Sequence, residues 1–301
     1  MAKRKLLFQG TATALVTPFK KDGSVDEATL RELVDLQISG KVEALVPVGS
    51  TGEGATLSET EQAQVIEIVV DQTNGRVPVI GGASSNATSK AITLAKQVKN
   101  CGADAILTVA PFYNKPTQEG MYQHFGAIAD AVELPMVIYN VPGRTASNIE
   151  ASTTLRLAEE IPFVAGIKEA SGNFGQIMEI LHHRPAGFGV WSGDDNLTLP
   201  LIALGADGII SVVANEVPRL FSEMVRCALK GKFEKARELH YKLLHLMNAN
   251  FLESNPIPVK AAMAMMGLSE ENYRLPLVQL SDGVRPKMEK ALKELGLLNK
   301  S

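Results

Sequence analysis

The sequence predicts an α/β protein, a (β/α)8 barrel of the TIM type followed by a C-terminal helical appendage. Short apolar runs recur eight times, each followed by a loop rich in Gly, Ser, Asn or Pro and then by an amphipathic stretch. These runs are mostly apolar rather than alternating, which is typical of parallel strands buried on both faces. Eight such strands alternating with helices over about 220 residues favour a barrel. A doubly wound open sheet is the alternative, but no GxGxxG motif follows the first strand.

The predicted strands follow one another with a repeated type of entry turn. Three of these turns place a glycine after a helix, then an acidic residue, then a strand, in SGKVEAL, NCGADAIL and ALGADGII. This internal similarity indicates a repeated αβ unit. The eight predicted strands are 12–18, 44–48, 77–82, 105–110, 135–141, 163–168, 189–193 and 208–213.

Helix boundaries are marked by capping residues. Ser58 followed by Glu61 forms a capping-box pattern and predicts a helix over 58–73. Asp26 and Gly40 are suited to begin and end an earlier helix.

The tail of the chain differs from the repeating part, because no strand pattern occurs after about Gly231. We therefore expect a catalytic barrel over 1–230 and a C-terminal helical domain over 231–301. The apolar faces of that domain could cover the barrel or meet another subunit. Its predicted helices are 232–254, 257–266 and 282–297.

Composition narrows the class of function. The formal net charge of −3 provides no basic surface for nucleic acid, and no run of 18 apolar residues predicts a membrane span. Cys101 and Cys227 have no metal or redox spacing. The apolar stretch Leu6 to Phe8 near the N-terminus is too short for a signal peptide, so we expect a cytoplasmic protein.

Candidate site residues follow the predicted strands, because active sites of (β/α)8 barrels form at the carboxyl ends of the strands. Ser50 and Thr51 lie in a glycine-rich loop before a helix, which suits a carboxylate or phosphate but also an ordinary capping turn. Tyr113 lies in a loop with two prolines, and Tyr139 ends the fifth strand. Arg144 follows in a Pro-Gly loop, as a carboxylate ligand or a plain surface arginine.

Lys168 ends the apolar sixth strand, where burial of an ammonium group is costly. Carbon–carbon bond chemistry beside a carbonyl needs a divalent metal or a lysine Schiff base. No histidine lies at a predicted strand end or has an HxH or HExxH spacing, so we expect no metal site. Asp194 and Asp195 could bind a metal, but we interpret them as caps of the next helix. From the strand alone, Lys168 is either a nucleophile with a lowered pKa or a lysine paired with a carboxylate or extended to solvent.

The motifs that carry these residues resemble the pyruvate-dependent class I aldolase family, and within it the dihydrodipicolinate synthase branch. The resemblance runs from the first strand into the C-terminal helices. NVPGRT and GIKEASG separate this branch from sialic-acid lyases and keto-deoxy-sugar aldolases. The motifs are GSTGEGATLS (49–58), PFYNKPTQEG (111–120), YNVPGRT (139–145), GIKEASG (166–172), SGDD (192–195) and GIISVVAN (208–215).

The resemblance implies a reaction in which pyruvate condenses on Lys168 as a Schiff base and its enamine attacks aspartate semialdehyde. Cyclisation then releases a product toward diaminopimelate and lysine. Tyr139 would donate and accept the proton above the imine. Ser50 and Tyr113 would complete the proton relay, with Tyr113 reaching into the site of a neighbouring subunit. Ser50 departs from the threonine usual in this branch, but it keeps the hydroxyl.

The resemblance also implies the binding residues and the assembly. Thr51 would help to hold the pyruvate carboxylate, and Arg144 would bind the carboxylate of the semialdehyde. Gly193 and Ile210 would contribute backbone carbonyls near the lysine. The family implies a homotetramer built from tight dimers and no metal or other cofactor, and the sequence leaves dimer and tetramer open.

The positions that correspond to the lysine feedback site depart from the family pattern. Glu59 and Gln62 stand where lysine-sensitive members place a histidine or a related group. Lys90 replaces a glutamate and Phe112 a tyrosine, whereas Asn86 matches. Because a cation at position 90 repels the lysine ammonium, we expect weak or absent feedback inhibition.

Two other functions remain open from the sequence. One is a retro-aldol lyase of the N-acetylneuraminate or keto-deoxy-sugar type, against which Arg144 in NVPGRT argues. The other is a barrel that binds a keto acid without catalysis, against which the combination of Lys168, Tyr139, Tyr113 and Arg144 argues.

Overall fold

Eight parallel strands form the centre of the protein, for which a computed structural model describes residues 5–298. The first four and last three residues, at the outer ends of the two predicted domains, lie outside the described residues. Every strand residue is buried except Val109, which is partly exposed, as the apolar runs predict. The strands are β1 Gly10–Ala14, β2 Ala44–Val46, β3 Ile80–Gly82, β4 Ala105–Val109, β5 Met136–Asn140, β6 Val164–Glu169, β7 Gly189–Ser192 and β8 Gly208–Ser211.

The strand order confirms the (β/α)8 barrel. The sheet runs β2-β1-β8-β7-β6-β5-β4-β3, and β2 and β3 approach each other at its two ends. The Leu45 amide donates to the Pro78 carbonyl at 3.0 Å, and the Gly82 amide donates to the Pro47 carbonyl at 3.0 Å. A Cβ atom at Gly82 would lie 2.1 Å from the Val48 carbonyl oxygen. Glycine is therefore needed where the barrel closes.

Helices follow the strands around the barrel. Ser58 forms the predicted capping box with Glu61, and the Asp26 side chain accepts from the Thr29 amide at the start of α1. Both capping predictions are confirmed. The helices between β1 and the end of the barrel are α1 Glu27–Ser39, α2 Glu59–Thr73, α3 Thr88–Asn100, α4 Gln118–Val132, α5 Pro142–Thr145, α6 Ala151–Glu160, α7 Phe174–His183, α8 Thr198–Ala203 and α9 Pro218–Leu229.

The C-terminal region is helical, as predicted, but its first helix is shorter than expected. That helix was predicted to reach residue 254, whereas it ends at Ala249. Asn250 caps it and donates from Nδ2 to the buried Glu216 carboxylate at 2.7 Å. The residues that follow reach the mouth of the barrel. The C-terminal helices are α10 Phe233–Ala249, α11 Ile257–Met265 and α12 Arg285–Glu294.

The hydrophobic core has an inner and an outer part. Inside the barrel, Phe8 stacks on Trp191 with ring centroids 4.6 Å apart, and Trp191 Nε1 donates to the Phe8 carbonyl at 3.3 Å. Because Phe8 precedes β1, this pair closes the amino-terminal end and leaves the opposite end for a site. The C-terminal helices share one apolar cluster with α8 and α9. Among residues 5–298, no helix combines the length and hydropathy needed to cross a bilayer.

Candidate active site

A cavity at the carboxyl ends of the strands brings together six of the eight predicted site residues. Sequence segments that are far apart supply them, so the cavity exists only in the folded barrel. The six are Ser50, Thr51, Tyr139, Arg144, Lys168 and Gly193.

Lys168 projects into this cavity from the end of β6. Strand register places it opposite Tyr139 on β5, and Nζ lies 4.3 Å from the centroid of the tyrosine ring. The side chain is 5% exposed. Among residues 5–298, no carboxylate lies within 4.0 Å of its Nζ. Burial lowers the pKa of Lys168 to about 8, although the charges of Asp194 and Asp195 partly oppose this shift. A useful fraction of the amine is therefore free near neutral pH.

Gly193, directly after β7, leaves room for the stem of this lysine. A Cβ atom at Gly193 would lie 3.1 Å from Lys168 Cε and 2.6 Å from the Cβ of Ala170. The Gly193 amide donates to the Glu169 carbonyl at 2.8 Å, which fixes the backbone at this approach. A larger residue here would displace the amine.

Tyr139 supplies a phenol beside the amine. Its ring is buried, and burial raises its pKa well above the ordinary value. Arg144 opposes this shift, but the phenol remains neutral over the physiological range. A neutral phenol can both donate and accept a hydrogen bond, which is the property that a proton relay needs.

Thr51 and Arg144 are connected through a residue of the C-terminal region. Asn255 Nδ2 donates to Thr51 Oγ1 at 2.9 Å, and Arg144 Nη2 donates to the Asn255 carbonyl at 3.1 Å. Asn255 and Phe251 also line the cavity. The sequence reasoning missed both residues, because they lie in a segment predicted to be a helix or its connection. Asn255 is also more than 100 positions from Thr51 and from Arg144 in the chain.

The loop that carries Ser50 and Thr51 is anchored from below. Glu53 and Lys260 form an ion pair of 2.5 Å in which both side chains are fully buried. Thr17 Oγ1 donates to the Gly52 carbonyl at 2.7 Å. Sequence reasoning also missed Lys260, which stands in an apolar helix without a charged neighbour.

Two predicted site residues lie outside the cavity lining. Ile210 is buried inside the barrel on β8. Tyr113 is 88% exposed, and its φ of 73° lies in the left-handed region that aromatic residues seldom occupy. Its place within a neighbouring subunit's site stays a prediction.

The interpretation of the two aspartates after β7 as helix caps is wrong. Asp194 stands at the N-cap position of the short turn that follows, but its side chain makes no capping hydrogen bond, and the residue lines the cavity. Asp195 accepts from Ser211 Oγ at 2.6 Å and from the Val213 amide at 3.0 Å, so it holds the loop after β8 rather than its own helix. Burial raises the pKa of Asp195 to about 6. The charges of both aspartates therefore act on the lysine from the loop after β7, the strand next to β6.

A buried lysine with a lowered pKa at the mouth of a (β/α)8 barrel defines a class of enzyme. This class comprises the lyases of the class I aldolase type, which bind a keto acid through a lysine. The chain belongs to the Dihydrodipicolinate synthetase family, whose sequence model matches residues 7–295. The family resemblance drawn from the motifs is thereby confirmed.

Named relatives agree over their whole lengths. The chain is 56% identical to a 4-hydroxy-tetrahydrodipicolinate synthase of Koribacter versatilis, over 96% of this chain and 97% of the relative. It is 52% identical to the enzyme of that name from Chloroherpeton thalassium, over 100% of this chain and 99% of the relative. The crystal structure of dihydrodipicolinate synthase from Aquifex aeolicus superposes with a TM-score of 0.95 at 44% identity, covering 97% of this chain and 100% of that one. These comparisons favour the synthase over the lyase and sugar-aldolase alternatives.

Proposed function

We propose that this protein catalyses the 4-hydroxy-tetrahydrodipicolinate synthase reaction, the condensation of pyruvate with L-aspartate 4-semialdehyde that leads to diaminopimelate and lysine. The observation that carries the proposal is the buried Lys168 amine, which has a lowered pKa and faces Tyr139, Thr51 and Arg144 in one cavity. The proposal requires no metal or other cofactor, and it places the enzyme in the cytoplasm.

The neutral Lys168 amine adds to the C2 carbonyl of pyruvate, and loss of water leaves an imine. Removal of a proton from the C3 methyl group gives an enamine, with the imine nitrogen as electron sink. The enamine carbon attacks the aldehyde carbon of the semialdehyde, whose oxygen becomes a hydroxyl. The amino group of the semialdehyde then attacks C2, closes the ring and displaces Lys168 as the free amine.

Proton transfer in these steps is assigned to hydroxyl groups. Protonation and deprotonation of the reacting atoms are assigned to the Tyr139 phenol, and the 4.3 Å between Lys168 Nζ and its ring centroid supports this role. Ser50 is exposed at the cavity and offers a second hydroxyl. Tyr113 would supply the third from a neighbouring subunit, in a dimer or in a tetramer built from dimers.

Carboxylate binding is divided between two sides of the cavity. Thr51, in the loop between β2 and α2, is assigned to the pyruvate carboxylate. Arg144 is assigned to the carboxylate of the semialdehyde, for which its planar guanidinium is suited. The backbones of Gly193 and Ile210 are assigned to the surroundings of the lysine.

Borohydride reduction in the presence of pyruvate tests the proposal. We expect a mass increase confined to the peptide that contains Lys168, and product formation when aspartate semialdehyde is added to unreduced enzyme. Failure to label Lys168 would reject Schiff-base catalysis. Labelling without condensation would leave the lysine chemistry in place and reject the second substrate.

Feedback inhibition by lysine is expected to be weak or absent. In the cleft beside the site, Lys90 Nζ lies 3.7 Å from a Glu59 carboxylate oxygen, and Gln62 Nε2 donates to the Gly54 carbonyl at 2.9 Å. A bound lysine would be repelled by the Lys90 ammonium. It would also find the Gln62 amide already engaged with the Gly54 carbonyl. We predict unchanged initial rates in micromolar L-lysine, and a Lys90→Glu variant as the more sensitive form. Inhibition of the unmodified enzyme in that range would contradict the prediction.

A further inference from the structure

Asn255 contacts two residues assigned to two different substrates. Its side chain donates from Nδ2 to Thr51 Oγ1 at 2.9 Å, whereas its backbone carbonyl accepts from Arg144 Nη2 at 3.1 Å. Asn255 is 7% exposed and lines the cavity together with Thr51 and Arg144. It belongs to the segment between α10 and α11, so the C-terminal region forms part of the site.

The direction of the Asn255–Thr51 hydrogen bond decides what Thr51 can do. A threonine hydroxyl has one proton to donate, and here its oxygen accepts from an amide N–H. Within residues 5–298, the Thr51 hydroxyl donates to no protein acceptor. Thr51 is 3% exposed and lines the cavity, so a ligand in the cavity is the acceptor left for its proton. A proton held in this way suits the oxygen of a bound carboxylate.

We propose that Asn255 is a positioning residue that fixes Thr51 as a hydrogen-bond donor to the pyruvate carboxylate. The inference rests on the proposed reaction with pyruvate. Its backbone carbonyl separately steadies Arg144, a contact that any residue at position 255 provides. Side-chain substitutions at Asn255 therefore affect pyruvate and leave the semialdehyde almost unaffected.

The first test compares the two substrates in Asn255→Ala. We expect the pyruvate concentration for half-maximal borohydride labelling of Lys168 to rise about tenfold, the effect of one lost hydrogen bond near a charged group. The KM for aspartate semialdehyde should change less than about twofold. Asn248→Ala is the matched control, because Asn248 is an exposed asparagine at the end of α10, and it should behave like the unmodified enzyme. Unchanged pyruvate half-saturation, or an equal rise for both substrates, would overturn the proposal.

Asn255→Asp provides a variant of nearly the same shape if the alanine variant does not fold. Its carboxylate accepts the Thr51 proton instead of donating to Thr51, and it repels the substrate carboxylate. We expect a rise in pyruvate half-saturation larger than about tenfold. Labelling at the unmodified half-saturation in this variant would likewise reject the proposed role.

A double-mutant cycle with Thr51→Val separates action through Thr51 from a general structural effect. Because the valine lacks the hydroxyl, adding Asn255→Ala to it should change pyruvate half-saturation less than about twofold. Additive effects would show that Asn255 does not act through Thr51. If the unmodified enzyme does not label with pyruvate, the proposed function fails. If the unmodified enzyme labels and the Asn255→Ala variant has the same pyruvate half-saturation, only the role of Asn255 fails.

Discussion

Two buried lysines in this protein have similar apolar surroundings and different chemical partners. Lys168 is 5% exposed with Nζ 4.3 Å from the Tyr139 ring centroid, and Lys260 is 0% exposed with Nζ 4.3 Å from the Phe19 ring centroid. Lys260 forms a 2.5 Å ion pair with Glu53. No carboxylate of the described chain lies that near to Lys168.

The difference shows that burial and an aromatic neighbour do not by themselves make a nucleophile. Burial lowers the pKa of Lys260 too, but the Glu53 carboxylate opposes this shift through its charge and its hydrogen bond. The Thr17 carbonyl also accepts from the Lys260 ammonium, so this lysine has direct partners that occupy it. Around Lys168, the aspartate charges act without a direct ion pair, so burial dominates and the neutral amine becomes accessible. The cavity in front of Lys168 then gives this amine a substrate to attack.

The largest expected effect is on Schiff-base formation. Lys168→Met should abolish borohydride labelling by pyruvate and lower kcat/KM by more than about 10³-fold, because no other amine takes its place. Lys260→Met is the matched buried-lysine control. Where it folds, it should still label at Lys168. The assignment of the two lysines would be reversed if the Lys168→Met protein still labelled with pyruvate, or if labelling were lost only in the Lys260→Met protein.

The sequence was sufficient to predict Lys168 but not Lys260 or Asn255. Lys168 ends a strand, and a strand pattern is local, so its place at the barrel mouth follows from the fold. Lys260 and Asn255 stand in the C-terminal region and act through partners 207 and 204 positions away in the chain. Such contacts depend on how the appendage packs on the barrel, which periodicity does not specify. The eight strands and the two caps were predictable because their patterns lie within a few neighbouring residues of the sequence.

The second effect is on stability, and the two lysines should act in opposite directions. Lys260→Met leaves the buried Glu53 carboxylate unpaired, so we expect the free energy of unfolding to fall by about 3–5 kcal/mol. Replacing both residues, in Glu53→Leu with Lys260→Met, should cost less than the single change. Urea unfolding at pH 7 measures both values, and a double variant less stable than Lys260→Met would contradict this view of the pair.

Replacement of Lys168 should instead raise the free energy of unfolding. Its pKa is lowered from 10.5 to about 8 by folding, so the folded state disfavours the charged form. This cost is fully present below pH 8 and disappears as the pH rises to the unfolded value of 10.5. Lys168→Met should therefore raise the free energy of unfolding at pH 7 by up to about 3 kcal/mol. The difference from the unmodified enzyme should shrink toward pH 10, and a loss of stability at pH 7 would contradict the lowered pKa.

The smallest expected effect is the pH dependence of the reaction. Only the neutral amine attacks pyruvate, so kcat/KM for pyruvate should rise about tenfold per pH unit below the pKa of Lys168 and level off near pH 8. An ordinary lysine, such as an exposed one, would give a rise that continues to about pH 10. Asp194 favours the charged form of Lys168, so Asp194→Asn should move the levelling point to lower pH. A shift to higher pH would mean that Asp194 does not act on the lysine through its charge.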